Sequence, residues 1–330
     1  MTEAILQIEN LHTGFEGPSG SVRVLRGLTL SIPPGQAVGI VGESGSGKTV
    51  TALSIMRLIR PPGRITGGRV LFLGRDLLAL SEEEMERVRG RQIAMIFQQP
   101  RESLNPVLSV GAQMAMVLER HVGLTGGAAA ARSRELLRQV ELPDSDRILR
   151  AYPHELSGGM CQRVMIALCL SCNPALLIAD EATTALDVTV QLQILRLLRR
   201  LQQEFGLTLI VITHNLGVVA ELCQWVAVMY AGELAEFATA AQIFRAPRHP
   251  YTARLLACRP TRATAGDLPV IPGAVPDLVT LPPGCPFHPR CHRAQARCSV
   301  EHPLLAPLEP DHQLRCFFPE EVPAWTPSLR

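Results

Sequence analysis

A chain of 330 residues is long enough for two domains, or for one large domain with an extension. Its composition is that of an ordinary globular protein, 47% hydrophobic and 19% charged, and 32 basic against 30 acidic side chains leave a net charge of +2, which argues against a nucleic-acid binder. The longest apolar runs, at 208–212 and 225–231, fall well short of the ~18 residues that cross a bilayer, and the N-terminus lacks a secretory pattern, so the expectation is a cytoplasmic protein that works at a membrane only through partners.

In chain order, residues 5–9 alternate as a strand, and Phe15 follows in a loop with Gly14, Gly17 and Gly20. Residues 22–30 are strand-like. Pro33-Pro34-Gly35 then turns the chain into a short apolar strand at 37–41. The next eight residues, Gly42-Glu43-Ser44-Gly45-Ser46-Gly47-Lys48-Thr49, read G-x-x-x-x-G-K-[ST], the phosphate-binding loop of nucleoside triphosphatases. Glycines let successive N–H groups point inward at phosphate oxygens. Lys48 can reach the β- and γ-phosphates, and Thr49 offers a hydroxyl to Mg²⁺. Residues 51–59 read as a helix, so the phosphates would sit at a helix N-terminus. A surface glycine turn is the bland alternative. The Lys-Thr pair and both flanks weigh against it.

Turns at 61–63 and 67–68 frame a strand at 70–73, and Ser81-Glu82-Glu83-Glu84 opens a helix with acids in its first turn. The buried-strand run 93–97 ends at Gln98-Gln99-Pro100. Residues 101–156 read as mostly helical, with helices at 110–121 and 128–140. Ser157-Gly158-Gly159 starts another helix that runs to 170. A continuous apolar strand at 175–179 delivers Asp180-Glu181, and an amphipathic helix spans 188–205. A strand at 208–212 ends in Thr213-His214, followed by a helix at 217–222 and a strand at 226–230. No internal repeat is visible. Beyond about residue 245 proline rises sharply and periodicity fades, which marks a boundary.

An Asp at the C-terminal end of a buried strand can hold Mg²⁺, directly or through water. Asp180 is so placed, and Glu181 beside it can orient or deprotonate an attacking water. Acidic pairs are common. Downstream of a phosphate loop the pair points to phosphoryl chemistry. The helix start at Ser157-Gly158-Gly159 offers a second anion site, which one nucleotide does not need.

Leu156-Ser157-Gly158-Gly159-Met160-Cys161-Gln162 resembles the signature motif of ABC-transporter ATPases. Gln98 resembles that family's Q-loop, Ala185-Leu186-Asp187 its D-loop, His214 its switch histidine and Phe15 the aromatic that stacks on adenine. The motifs come in the family's order over residues 1–245. The resemblance implies an α/β fold: a P-loop ABC ATPase cassette with a RecA-like core, an antiparallel β part and a helical subdomain at about 99–160. A small Pro/Cys-rich extension would follow at 246–330. It also implies that two cassettes pack head to tail. ATP would lie on residues 42–49 of one, with Mg²⁺ on Thr49, Gln98 and Asp180, and with Glu181, His214 and Gln98 as catalytic residues. Ser157, Gly158, Gly159 and Gln162 would reach the nucleotide held by the other cassette, with Asp187 alongside.

Residues 93–98, Ser103-Leu104-Asn105-Pro106, residues 152–160, residues 178–190 and Ala246-Pro247-Arg248-His249-Pro250-Tyr251-Thr252 are similar to the dipeptide/oligopeptide importer ATPases. Cys285-Pro286-Phe287-His288-Pro289-Arg290-Cys291 continues that likeness. The resemblance implies an ATPase subunit that powers import of di- and oligopeptides from the cytoplasmic face of the inner membrane. Its implied partners are a second ABC ATPase, a related paralogue, two transmembrane permease subunits docked on residues 98–156, and an extracytoplasmic substrate-binding protein. The ATPase of a nickel, metal-chelate or glutathione importer is the alternative within the fold. A soluble ABC ATPase of translation or DNA repair is the alternative outside transport, and the lack of a second cassette, coiled coil or zinc-hook insertion weighs against it. Three departures stand out: Cys161 where the family often has Arg or Ser, Ala182 for the usual Pro, and Asn215 where Asp is common.

Four of the nine cysteines crowd the tail as Cys285-x5-Cys291-x6-Cys298-x17-Cys316, without the C-x2-C pairs of zinc ribbons. Four thiolates can bind Zn²⁺ or a [4Fe–4S] cluster. The resemblance implies the cluster, and buried, uncommitted thiols are the other reading. Cys169 and Cys172 share C-x-x-C spacing inside an apolar helical run and read as core.

Overall fold

Two sets of strands carry the structure, a computed structural model that describes residues 4–17, 20–182, 187–258 and 270–321. The chain falls into two units: residues 1–33, 38–78 and 213–330, and residues 34–37 and 79–212.

In the first unit, strands Gly20–Ile32, Leu6–Gly17, Gly63–Phe72 and Arg75–Asp76 form an antiparallel sheet in that order. Leu6, Ile8, Leu11, Leu25, Leu28 and Ile32 are fully buried along its inner face. Phe15 is therefore not in a loop: the first strand runs for 12 residues, and Phe15 pairs with Val22 on one side and Gly63 on the other. Bulges absorb the glycines that looked like breakers. Gly68, with φ 91°, lies inside its strand beside a register shift.

The same unit holds residues 38–41 of the strand Ala37–Val41, which pair in parallel with Trp225–Tyr230. Antiparallel strands Glu233–Thr239, His312–Leu314 and Ala306–Glu309 follow in order. The tail thus adds strands directly to the strand Glu233–Thr239. That strand is not apparent in the sequence because two acids interrupt its apolar residues. The structure shows why they are there. Glu236 is fully buried, and its carboxylate accepts from the N–H groups of Arg248 (2.7 Å) and His249 (3.1 Å) and pairs with His312 Nε2 at 2.8 Å. One side chain ties three segments together.

In the second unit, Ile93–Ile96, Leu176–Asp180 and Thr208–Ile212 run parallel, and every residue in them is buried. Such strands read as unbroken apolar runs because both faces are covered. Helices Val110–Val122, Gly126–Gln139, Ser145–Arg150, Gly158–Leu170 and Val188–Phe205 belong to this unit. Ser109, Asp144, Ser157 and Asp187 each cap a helix N-terminus with a side-chain oxygen. Cys169 is buried, and burial pushes its thiol up to about 12, as fits a core residue. Among the described residues, no helix is long and apolar enough to cross a membrane.

Glu236→Ala should strand two buried N–H groups and His312, and should cost about 3 kcal/mol. Thermal unfolding of the full chain measures this. Exposed Glu83→Ala serves as the control. A Glu236→Ala melting point within about 1 °C of the wild type would contradict the role given to this carboxylate.

Candidate nucleotide site

The buried strand Ala37–Val41 ends at Gly42, whose φ is 154°. A Cβ at this position would lie 2.3 Å from the Met229 carbonyl oxygen and 2.8 Å from Ser46 Oγ, so only glycine lets the chain turn here. The loop then closes on itself. Ser46 N–H donates to the Glu43 carbonyl (3.2 Å), and Lys48 Nζ donates to the carbonyls of Gly42 and Glu43, both at 2.9 Å. Lys48 is buried, so its ammonium lies inside the curl of the loop. Gly47, left-handed with φ 99°, ends the loop. No side chain caps the helix Lys48–Ile55 that follows. An uncapped helix start behind a curled glycine loop is suited to an anion. Ser46 Oγ is buried and has no partner among the described residues, a polar atom that a phosphate or a water could satisfy. Ser44, Gly45 and Thr49 are exposed at the loop's mouth.

Phe15 is half-buried in its strand with its ring over Gly63, where a Cβ would meet it at 2.5 Å. His214 is exposed, one residue past Thr213, whose N–H donates to the Ile40 carbonyl at 3.2 Å. Asn215 caps the helix Leu216–Leu222 through the Gly217 N–H (2.9 Å), so this departure from the family pattern has a local structural use.

On the second unit, Asp180 is the buried last residue of Leu176–Asp180. Glu181 follows with φ 46°, a left-handed conformation that is uncommon for Glu, and its N–H donates to the Ile212 carbonyl at 2.9 Å. Gln98 Nε2 donates to Glu181 Oε2 at 2.7 Å. The structure thus joins two residues that lie 83 positions apart. At the signature segment, Ser157 Oγ accepts the Met160 N–H (3.3 Å), and Gly159 allows close approach to Val190, whose Cγ1 would be 2.8 Å from an added Cβ. Gln162 is fully buried with neither amide atom paired among the described residues, so it lies inside the unit rather than at its surface. Cys161 is also buried: its Sγ reaches the Pro153 carbonyl at 3.5 Å, and burial raises its pKa. Asp187 is engaged as the cap of Val188–Phe205, through the Val190 N–H at 2.9 Å. Ala185 and Leu186 lie outside the described residues.

Cys285, Cys291, Cys298 and Cys316 all line one small cavity, together with His249 and Phe287. Burial pushes Cys285 up to about 11 and Cys316 up to about 12. Among the described residues, no group of three or more His, Cys, Asp or Glu side chains stands close enough to hold a metal ion.

Sequence reasoning missed what supports the phosphate loop. Tyr251 OH accepts the Glu43 N–H at 2.8 Å, and Arg290 pairs with the Glu43 carboxylate through both terminal nitrogens, at 2.8 and 3.0 Å. The available signals were His249-Pro250-Tyr251-Thr252 and Phe287-His288-Pro289-Arg290, which read only as family marks.

The comparisons with known proteins agree with this geometry. The "ABC transporter" family model matches residues 25–184, and "Oligopeptide/dipeptide transporter, C-terminal region" matches 235–298. The chain is 45% identical over 324 residues to the probable D,D-dipeptide transport ATP-binding protein DdpD of Escherichia coli K12, covering 97% of this chain and 98% of that one. It is 46% identical to the oligopeptide transport ATP-binding protein OppD of Salmonella typhimurium, covering 96% of this chain and 94% of the relative. A dimeric post-hydrolysis structure of the ATP-binding cassette MJ0796, bound to ADP and Pi, matches with a TM-score of 0.64 at 29% identity, over 71% of this chain and 98% of that one. The fold and the phosphate loop are those of an ATP-binding cassette. The chain belongs to the ABC-transporter ATPases, in the group that carries the oligopeptide/dipeptide transporter C-terminal region.

Proposed function

We propose that this chain hydrolyses ATP to power the import of di- and oligopeptides through an ABC transporter. The observation that carries the reading is its similarity to peptide-transport ATP-binding proteins over nearly the full length of both chains, C-terminal region included. The peptide-transport relatives do not favour a nickel, metal-chelate or glutathione importer. The cassette occupies residues 1–245, and the extension 246–330.

In this reading residues 42–49 hold the triphosphate, with Lys48 on the β- and γ-phosphates and Phe15 against the adenine. Thr49, Asp180 and Gln98 would hold Mg²⁺, which neutralises charge on the phosphates. Glu181 positions or deprotonates the attacking water. Its left-handed backbone and the 2.7 Å bond from Gln98 support that role, because both fix the carboxylate before substrate arrives. His214 donates to the γ-phosphate. Ser157, Gly158 and Gly159 at a capped helix start, with Gln162 behind them and Asp187 alongside, contact the nucleotide of a second, paralogous ATPase. The ATPase pair docks through residues 98–156 on two permease subunits, peripheral to the inner membrane on its cytoplasmic face, and an extracytoplasmic binding protein delivers the peptide.

The four tail cysteines hold a [4Fe–4S] cluster. Their convergence on one cavity supports this. A cluster would also staple a proline-rich segment with little regular structure.

Glu181→Gln should lower ATP turnover by at least about 10³-fold and leave ATP binding intact. Steady-state hydrolysis and equilibrium binding on the same preparation measure both, and normal turnover would remove Glu181 from the mechanism. Protein purified anaerobically should carry about four iron atoms per chain. Elemental analysis that finds zinc, or neither metal, would contradict the cluster.

A further inference from the structure

Glu43 is the only acid in the phosphate loop, one turn away from where a highly anionic ligand would bind. A bare carboxylate there would repel phosphate. The structure instead holds Glu43 at both ends. Its carboxylate is gripped two-pronged by Arg290, and its backbone N–H is taken by the Tyr251 hydroxyl, so that N–H does not face a ligand. Arg290 is itself fixed. It is buried, its Nε donates to the Pro272 carbonyl at 2.9 Å, and a terminal nitrogen lies 3.3 Å from Tyr230 OH. The rings of Tyr230, Tyr251 and Phe287 pack against one another at centroid distances of 4.6 to 5.3 Å, and the Arg290 guanidinium lies about 6 Å from two of them. The bond from Glu43 and the phenol of Tyr230 hold Arg290 firmly in its charged form.

We infer that Arg290 and Tyr251 are positioning residues for ATP. They act through Glu43, cancelling the loop's negative charge and fixing its first turn before the nucleotide arrives. The tail is then part of the ATP site's support and not an appendage to it. The inference rests on the reading that residues 42–49 bind ATP. A two-pronged Arg–carboxylate pair gives direction as well as charge, so lysine is not its equivalent. An Arg290 lost without its partner leaves a carboxylate uncompensated beside the phosphates, and removing that carboxylate's charge should repair the defect. A merely structural role does not predict this repair.

The test is a double-mutant cycle on the full-length protein, with binding of Mg²⁺-loaded mant-ATP and mant-AMP as readout and circular dichroism to establish folding. Arg290→Met should weaken mant-ATP binding roughly tenfold and mant-AMP binding much less, because the effect grows with phosphate charge. Arg290→Lys should fall between. Glu43→Gln added to Arg290→Met should restore most of the loss. Tyr251→Phe, which removes a single hydroxyl, should weaken mant-ATP roughly threefold and keeps the inference testable should Arg290→Met not fold. Folded Arg290→Met that binds mant-ATP within about twofold of wild type, or a double variant no better than Arg290→Met, would overturn the inference. Lys48→Ala separates the two levels. If it binds mant-ATP as the wild type does, the ATP reading of the loop fails. If it abolishes binding while Arg290 and Tyr251 variants bind normally, only the positioning role fails.

Discussion

The loop at residues 42–49 has to curl so tightly that its own lysine is enclosed. Gly42 can turn only because it lacks a Cβ, and Lys48 Nζ then rests on the carbonyls of Gly42 and Glu43. A buried ammonium held by carbonyl dipoles has little conformational freedom left to lose when an anion binds. The rest of the first unit serves this constraint. The strand Ala37–Val41 delivers the loop, the carbonyl of Met229 in the neighbouring strand bounds it, and Ser46 and Gly232 tie it from a third side at 3.1 Å.

The second unit solves a different problem. In the proposed mechanism hydrolysis needs a carboxylate near phosphate, which electrostatics opposes. Three parallel strands buried on both faces give a rigid base, and Asp180 and Glu181 are carried at the end of the central one. The strained backbone at Glu181 is anchored to Ile212, and Gln98, from the end of the adjacent strand, sets the side chain's direction. Strain at such a point is maintained by the stiffness of the strands beneath it.

Much of this was legible because the signals are local. The helix Val188–Phe205 matches the sequence expectation at both ends, since Asp187 caps its start and left-handed Gly206 ends it. The strand Thr208–Ile212 was a plain apolar run. Two elements were hidden. The first strand was cut short because three glycines suggested a loop, whereas bulges and cross-strand partners keep Phe15 in the sheet. The strand Glu233–Thr239 was missed because a buried Glu236 breaks the apolar pattern, and its compensating partners come from residues 12 to 76 positions further on. The grip of Arg290 on Glu43 spans 247 positions and leaves no local trace at all. Contacts of that separation are fixed by tertiary packing, which period and propensity do not encode.

The account's central claim is that the energy released at this site moves peptides. Uptake of radiolabelled di- and oligopeptides, ⁶³Ni²⁺ and glutathione in cells lacking this chain, with and without the gene restored, tests it most directly. The account predicts that peptide uptake alone is lost and that restoring the gene recovers it. Unchanged peptide uptake with loss of nickel or glutathione uptake would contradict it.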